Sequence, residues 1–175
     1  MRHLLFILPL LLCLPARAQM EHHHPPEQTP VLPGQDAFGA IQEIEHILLS
    51  DPHTDWSKVD LDRLRVHLID MNEVTLHAAA AVTRIKGGIA ADVTGQGRTL
   101  EAINRMVPAQ AGMLNGTPGW AAKAESLPNG VRLTVTSGDS RQVTIIQGLG
   151  FIGVMASGAH HQQHHLAIAT GAMVH

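Results

Sequence analysis

The sequence predicts an exported α+β protein with one folded domain. Three observations predict this: an apolar segment at the amino terminus, two stretches of helical periodicity before the first extended run, and an order of strand, turn, strand and helix that occurs twice. The expected architecture is two N-terminal helices, a duplicated ββα unit that forms a four-stranded antiparallel sheet, and a short C-terminal histidine-rich helix. Residues 36–175 form the expected domain and are enough to bury a hydrophobic core.

Residues 1–18 have the composition of a secretory signal peptide. Arg2 supplies a positive charge, Leu4–Leu14 is apolar apart from Pro9, and Ala16-Arg17-Ala18 offers small residues for cleavage before Gln19. The apolar run is shorter than the roughly 20 residues that a transmembrane helix needs. We therefore expect a periplasmic or secreted protein without stable membrane insertion after cleavage; a retained anchor is the alternative.

Cleavage at this site changes the charge and removes the one cysteine. Loss of Arg2 and Arg17 moves the formal net charge from −3 to −5. Cys13 leaves with the signal peptide, so the mature chain has no disulfide, no thiol nucleophile and no thiolate metal ligand. A mildly acidic domain without a basic run lacks the electrostatic footprint of a nucleic-acid-binding protein.

A proline-rich segment separates the signal peptide from two predicted helices. Residues 19–35 contain four prolines and the run His22–His24, which predicts a disordered linker with at most weak metal capture. Apolar residues at helical spacing predict a first helix over 36–50 and a second over 60–77. The apolar residues at this spacing are Phe38, Ile41, Ile44 and Leu48 in the first helix, and Leu61, Leu64, Leu68 and Met71, the expected buried stripe of the second.

The rest of the domain divides into two similar units. The expected elements are strands near 79–85 and 89–94 with a helix over 99–114, then strands near 120–127 and 131–136 with a helix from about 139. Asn129-Gly130 between two extended runs is a strong hairpin signal. Sliding the chain so that Gly88 falls on Gly130 also places Thr94 on Thr136. This repeat shift favours an internal duplication over two unrelated hairpins.

The stretch 148–153 matches the GxGxxG pattern of dinucleotide-binding folds. Such folds need another strand and an acidic residue about 20 positions later. The short segment after Gly153 contains no Asp or Glu. Ile145, Leu149, Ile152 and Ala156 recur at helical spacing instead, so we expect this stretch inside the second unit's helix and no nucleotide cofactor.

Four histidines near the C-terminus form the least ordinary pattern in the chain. They are His160, His161, His164 and His165. In a helix over 159–169, histidines one turn apart present two imidazoles to the same side, and three of the four are able to share one ion. His161, His164 and His165 are the main predicted ligands, and His160 is an alternate.

The ligand types favour copper over zinc as the bound ion. Neutral imidazole suits both metals, and thioether sulfur selects copper(I). Because the mature chain has no cysteine, methionine is its only soft ligand, and Met155 lies near the cluster in sequence. The leading hypothesis is an exported copper- or zinc-binding protein; the alternative is a non-catalytic structural or protein-interaction module with the histidines at a partner surface. A pH-sensitive surface is a further possibility.

Other combinations of polar residues give weaker signals. Asp70, Glu73 and His77 share a face of the second helix, which we expect to face solvent because the apolar stripe points the other way. His67 and Met71, one turn apart, are a second possible soft-metal pair, although a packed histidine beside a core methionine is the simpler interpretation. Ser157 lies close to His160 in sequence but lacks a nearby acid, so the sequence predicts no catalytic residue and leaves enzyme activity uncertain.

Three segments resemble an uncharacterised family of exported bacterial proteins with a C-terminal histidine motif. They are DMNEVTL at 70–76, RTLEAI at 98–103 and MASGAHHQ at 155–162. The resemblance covers about residues 36–171, most of the mature chain. It implies export and a single domain, and it implies no functional residue.

Overall fold

A computed structural model describes residues 37–158 and 161–171, apart from the side chains of residues 161 and 162. The predicted signal peptide (1–18) and linker (19–35) lie outside the described residues. The elements in this part of the chain are α1 (Ala37–Ser50), α2 (Leu61–Leu76), β1 (Ala79–Ile85), β2 (Gly88–Thr94), α3 (Gly97–Leu114), β3 (Trp120–Leu127), β4 (Gly130–Ser137), α4 (Ser140–Met155) and α5 (His161–Ala169). Among them, no helix has both the length and the apolar composition that crossing a membrane requires.

The four strands form one antiparallel sheet in the order β1-β2-β4-β3, so the predicted α+β fold is confirmed. The two units meet where β2 pairs with β4. Ala91 lies opposite Leu133, its equivalent under the repeat shift, and the pairing is symmetric about this point. Gly88 is opposite Thr136 and Gly130 is opposite Thr94. The duplication therefore builds the centre of the sheet with approximate two-fold symmetry.

The two strand-opening glycines have a packing reason to be glycine. A Cβ on Gly88 would lie 1.9 Å from the carbonyl oxygen of Val135, and a Cβ on Gly130 would lie 1.9 Å from that of Val93. Both are backbone atoms that cannot rotate away. Because Val93 and Val135 are themselves equivalent under the repeat shift, each unit makes the same close approach to the other.

The main hydrophobic core lies between one face of this sheet and helices α3 and α4. The two central strands of the sheet, β2 and β4, contribute six buried side chains at alternate positions, as expected for a sheet covered on one face. They are Ile89, Ala91, Val93, Val131, Leu133 and Val135. Helix α3 packs on β3 and β4, and α4 packs on β2, β4 and β1. Each helix therefore covers strands of the other unit.

The face of helix α4 that packs on the core is not the one that carries its regularly spaced apolar residues. The residues at regular spacing, Ile145, Leu149 and Ile152, are 40%, 37% and 49% exposed. Ile146, Phe151 and Val154 are the buried residues of this helix. Apolar side chains occur all round α4, so periodicity alone does not select its buried face. The GLGFIG stretch lies within α4 as expected, and Gly150 bends the helix with a φ of 59°.

A second hydrophobic cluster joins α1, α2 and α5. Its buried members are Ala40, Ile44, Leu48, Leu64, Leu68, Ile168 and Ala169. Asp60 caps the start of α2 by accepting a hydrogen bond from the amide of Arg63 at 2.9 Å. Phe38, which has the helical spacing of this cluster, is 83% exposed. The cluster places the C-terminal helix directly against α2, which brings the histidines of the two helices together.

Candidate metal centre

Helix α2 is buried on two faces, and the second of these holds a charged residue. Leu64 and Leu68 pack in the helical cluster, while Asp70 and Val74 face α3. Asp70 is only 4% exposed. The expectation that the face of Asp70 and Glu73 points to solvent is therefore wrong, because α3 supplies polar partners for both carboxylates.

Two arginines of α3 neutralise the buried carboxylate of Asp70. Arg105 donates two hydrogen bonds to it, from Nε at 2.8 Å and from Nη2 at 2.9 Å, and Arg98 Nη2 donates a third at 3.3 Å. The hydrogen bonds to Asp70 raise the pKa of Arg105 above its ordinary value. Glu73 accepts a further bond from the hydroxyl of Thr99 at 2.7 Å. This network fixes α2 on α3, and with it His67 and Met71, which flank Asp70 along the helix.

Three imidazole rings meet where α2 faces α5. The ring centre of His67 is 4.8 Å from that of His164 and 5.5 Å from that of His165, with both pairs edge-on. His164 and His165 are 9% and 6% exposed, so these two histidines are buried in the protein. Sequence reasoning gave His67 only Met71 as a partner, because nothing in the local pattern shows that α5 packs on α2.

The predicted ligands do not all lie within the described structure. His160 lies outside it, and so does the side chain of His161, although α5 begins at that residue. His164, His165 and Met155 are described. The structure brings His164 and Met155 to one cavity, whereas the position of the two earlier histidines relative to it stays a prediction.

A cavity of about 120 Å³ lies beside the rings of His67 and His164. Its lining includes two histidines and four methionines drawn from four helices, namely His67, His164, Met71, Met106, Met113 and Met155. Met106 and Met113 are functional candidates that sequence reasoning missed, since both occupy ordinary apolar positions of α3. The repeat shift was the one available signal, because it makes Met113 equivalent to Met155.

A buried amide holds the end of α4 beside this cavity. Gln110 is 3% exposed, and its Nε2 donates to the carbonyl oxygens of Val154 at 2.8 Å and Ser157 at 3.0 Å. The hydroxyl of Ser157 donates to the carbonyl of Gly153 at 2.8 Å. These bonds satisfy carbonyl groups at the helix terminus. They also fix Met155, which lies between the two carbonyls that Gln110 contacts.

Within residues 37–158 and 161–171, no group of three or more His, Cys, Asp or Glu side chains is arranged to hold a metal ion. A site built only from nitrogen and carboxylate ligands is therefore not present in this part of the chain. The described residues offer imidazole pairs and thioether sulfur in place of such a set.

Comparison of the chain with protein-family models, with curated proteins and with solved structures finds no match. The resemblance to exported bacterial proteins therefore stays a prediction, and the function is inferred from the site.

Proposed function

We propose that this chain is an exported, periplasmic or secreted metal-binding protein that holds copper in preference to zinc. The observation that carries the proposal is the packing of His67 against both His164 and His165. Rings from the second and the last helix meet at one place, and two of them, those of His67 and His164, line a cavity that Met155 also lines.

The spacing of the rings suits a shared ion. A ligating imidazole nitrogen lies roughly 2.0–2.1 Å from its metal, which puts the centres of two rings on one tetrahedral ion about 5 Å apart. The observed separations of 4.8 and 5.5 Å bracket that value.

The first test is calorimetric titration of the chain from Gln19 onward with copper(I), copper(II) and zinc. We expect micromolar or tighter binding of copper and a loss of at least 100-fold in affinity when His67→Gln and His164→Gln are combined. Bound metal also stabilises the fold. At an ion concentration of 100 Kd the free energy of unfolding rises by about 2.7 kcal/mol, which a thermal melt detects.

A matched control removes two histidines that lie elsewhere. His46 and His53 are exposed, so the variant His46→Ala/His53→Ala should bind metal like the parent. The linker run His22–His24 is replaced by alanine in every protein tested, because it is an independent source of weak binding. Equal affinity in the His67/His164 variant, with both proteins folded by circular dichroism, would reject these two histidines as ligands, and absence of metal binding in the parent would falsify the proposal.

The second candidate function is a protein-interaction module that holds no metal. The outward-facing apolar side chains of α4, Ile145, Leu149 and Ile152, favour it, since exposed apolar patches often mark binding surfaces. A titration without detectable metal binding makes this the better interpretation. Under it, polar substitutions at these three positions leave the isolated domain stable.

A further inference from the structure

We infer that the ion bound here is copper(I), and that its ligands are the imidazoles of His67 and His164 together with the thioether sulfurs of Met71 and Met155. This inference rests on the proposed function and adds the oxidation state and the sulfur ligands. It places the ion in the cavity, where His164 is the contribution of the C-terminal histidine-rich segment and the other three ligands come from α2 and α4.

Every methionine in the described residues lines this one cavity. Met71 comes from α2, Met106 and Met113 from α3, and Met155 from α4. They come from three separate helices, so the fold and not the local sequence collects them. The buried positions of the sheet strands are instead occupied by Ile, Val, Leu and Ala. Thioethers are thus confined to the part of the interior that also contains imidazoles.

The types of ligand that line the cavity favour a soft ion with a single positive charge. A structural zinc site takes four nitrogen, oxygen or thiolate ligands. The described residues provide no trio of His, Cys, Asp or Glu for such an ion. Two imidazoles and four thioether sulfurs line the cavity, and thioether ligands select copper(I) among the common ions. A single positive charge is also less costly to desolvate in an apolar cavity than a double one.

Separate contacts hold the three helices that carry the four ligand residues. Met71 follows His67 by one turn of α2, a spacing that places both on one side of the helix. The Arg105–Asp70 pair anchors that helix to α3, and Gln110 anchors the end of α4 where Met155 lies. His164 is buried on α5. An ion at this point therefore links α2, α4 and α5, which stabilises the attachment of the C-terminal helix.

Methionine also fills irregular gaps in cores without binding anything. The replacement Met→Leu separates the two roles, because it nearly conserves volume and removes the sulfur. The test uses the chain from Gln19 onward with His22–His24 replaced by alanine. Its copper(I) affinity is measured by competition with bathocuproine disulfonate, for the parent and for Met71→Leu/Met155→Leu.

We expect the double methionine variant to lose at least 100-fold in copper(I) affinity while its zinc affinity changes less than threefold. X-ray absorption at the copper edge should show sulfur neighbours in the parent and their loss in the variant. With Cys13 removed, that sulfur has no source other than methionine. The matched control, Met20→Leu/Met173→Leu, replaces two methionines outside the described residues and should keep both the affinity and the sulfur signal.

Two outcomes overturn the inference in distinguishable ways. Unchanged copper(I) affinity in the Met71/Met155 variant, with binding still lost in the His67/His164 variant, rejects the thioether ligands and leaves the proposed function standing. Absence of metal binding in the parent chain rejects both. A sulfur signal that disappears only in the Met20/Met173 variant assigns the ion to the termini and also rejects the cavity site.

Discussion

The two ββα units, residues 79–114 and 120–155, have matching strands, but their helices bury different faces. Their strands begin and end within one residue of equivalent positions, and they meet in a register that is symmetric about Ala91 and Leu133. Their helices use different faces. Ile103 and Val107 of α3 are fully buried, whereas their equivalents in α4, Ile145 and Leu149, are partly exposed. The duplication has kept the sheet and has allowed the layer above it to change.

The change is a rotation of α4 about its own axis, together with a bend. The buried residue Ile146 is equivalent to the exposed Asn104, one position away from the core residue Ile103, and one position is roughly 100° of helix rotation. Pro108 of α3 and Gly150 of α4 also occupy equivalent positions. Gly150 has the positive φ that bends α4, while Pro108 lies inside a helix without such a break. The divergent end of α4 is the part that reaches the methionine-lined cavity.

Replacing either strand-opening glycine should give the largest effect. In Gly88→Ala and Gly130→Ala the new methyl group meets a backbone carbonyl at 1.9 Å, so the strands must separate. We expect each change to lower the free energy of unfolding by about 4 kcal/mol or more, enough to unfold a domain of modest stability. Urea denaturation measures it, and equal losses in the two variants are the signature of the shared symmetry.

The control for these variants is Gly112→Ala in α3. A Cβ at that position meets no atom within 4 Å, and alanine favours a helix over glycine by about 0.5–1 kcal/mol. The control should therefore be as stable as the parent or more so. Mild and unequal losses in the Gly88 and Gly130 variants would contradict the symmetric close approach of β2 and β4.

The rotation of α4 predicts opposite outcomes for two neighbouring isoleucines. Ile146→Ala removes a side chain that is 0% exposed and should cost about 3 kcal/mol through lost burial and a cavity. Ile145→Ala truncates a side chain that is 40% exposed and should cost less than about 1 kcal/mol. Urea denaturation of both variants decides the orientation. A larger loss of stability in Ile145→Ala than in Ile146→Ala would show that α4 instead buries the face that carries Ile145, Leu149 and Ile152.

The smallest expected effect concerns an ion pair between β2 and β4 that has no counterpart at the symmetry-equivalent positions. Asp92 accepts a hydrogen bond from Arg132 Nη2 at 2.7 Å across the β2–β4 pair, and the equivalent positions are Thr134 and Ala90. The bonds from Arg132 hold the pKa of Asp92 below its ordinary value. The pair's contribution is therefore complete above the ordinary carboxyl pKa and is lost as the pH falls through the lowered value.

Melting temperatures of the parent and of Asp92→Asn test this pair. Their difference should be small and constant from pH 6 to 8, and it should shrink below about pH 4 as Asp92 takes up a proton. Added salt should reduce it at neutral pH, because both side chains are partly exposed. A difference in melting temperature that grows as the pH falls would show that folding raises the pKa of Asp92 and does not lower it.

The sequence predicted the sheet well because its signals are local. Asn129-Gly130 and the shift of Gly88 onto Gly130 locate both hairpins, and each observed strand end lies at the predicted position or next to it. The solvent-facing expectation for Asp70 was wrong, and the helical spacing of Ile145 located α4 without showing which of its faces is buried, since both depend on which element packs alongside. The meeting of His67 with His164 has the same origin: the two residues lie on the second and the last helix, and only tertiary packing relates them.

The symmetric pairing of β2 with β4 has a consequence for how the domain can be divided. All pairing within each hairpin is local, and all strand pairing between the units is between β2 and β4. A chain break in the segment 115–119 would interrupt no strand pair. It would leave two fragments whose β2 and β4 edges match in register and in the placement of their glycines. The domain is therefore suited to division into two fragments, each of which presents the strand with which the other pairs.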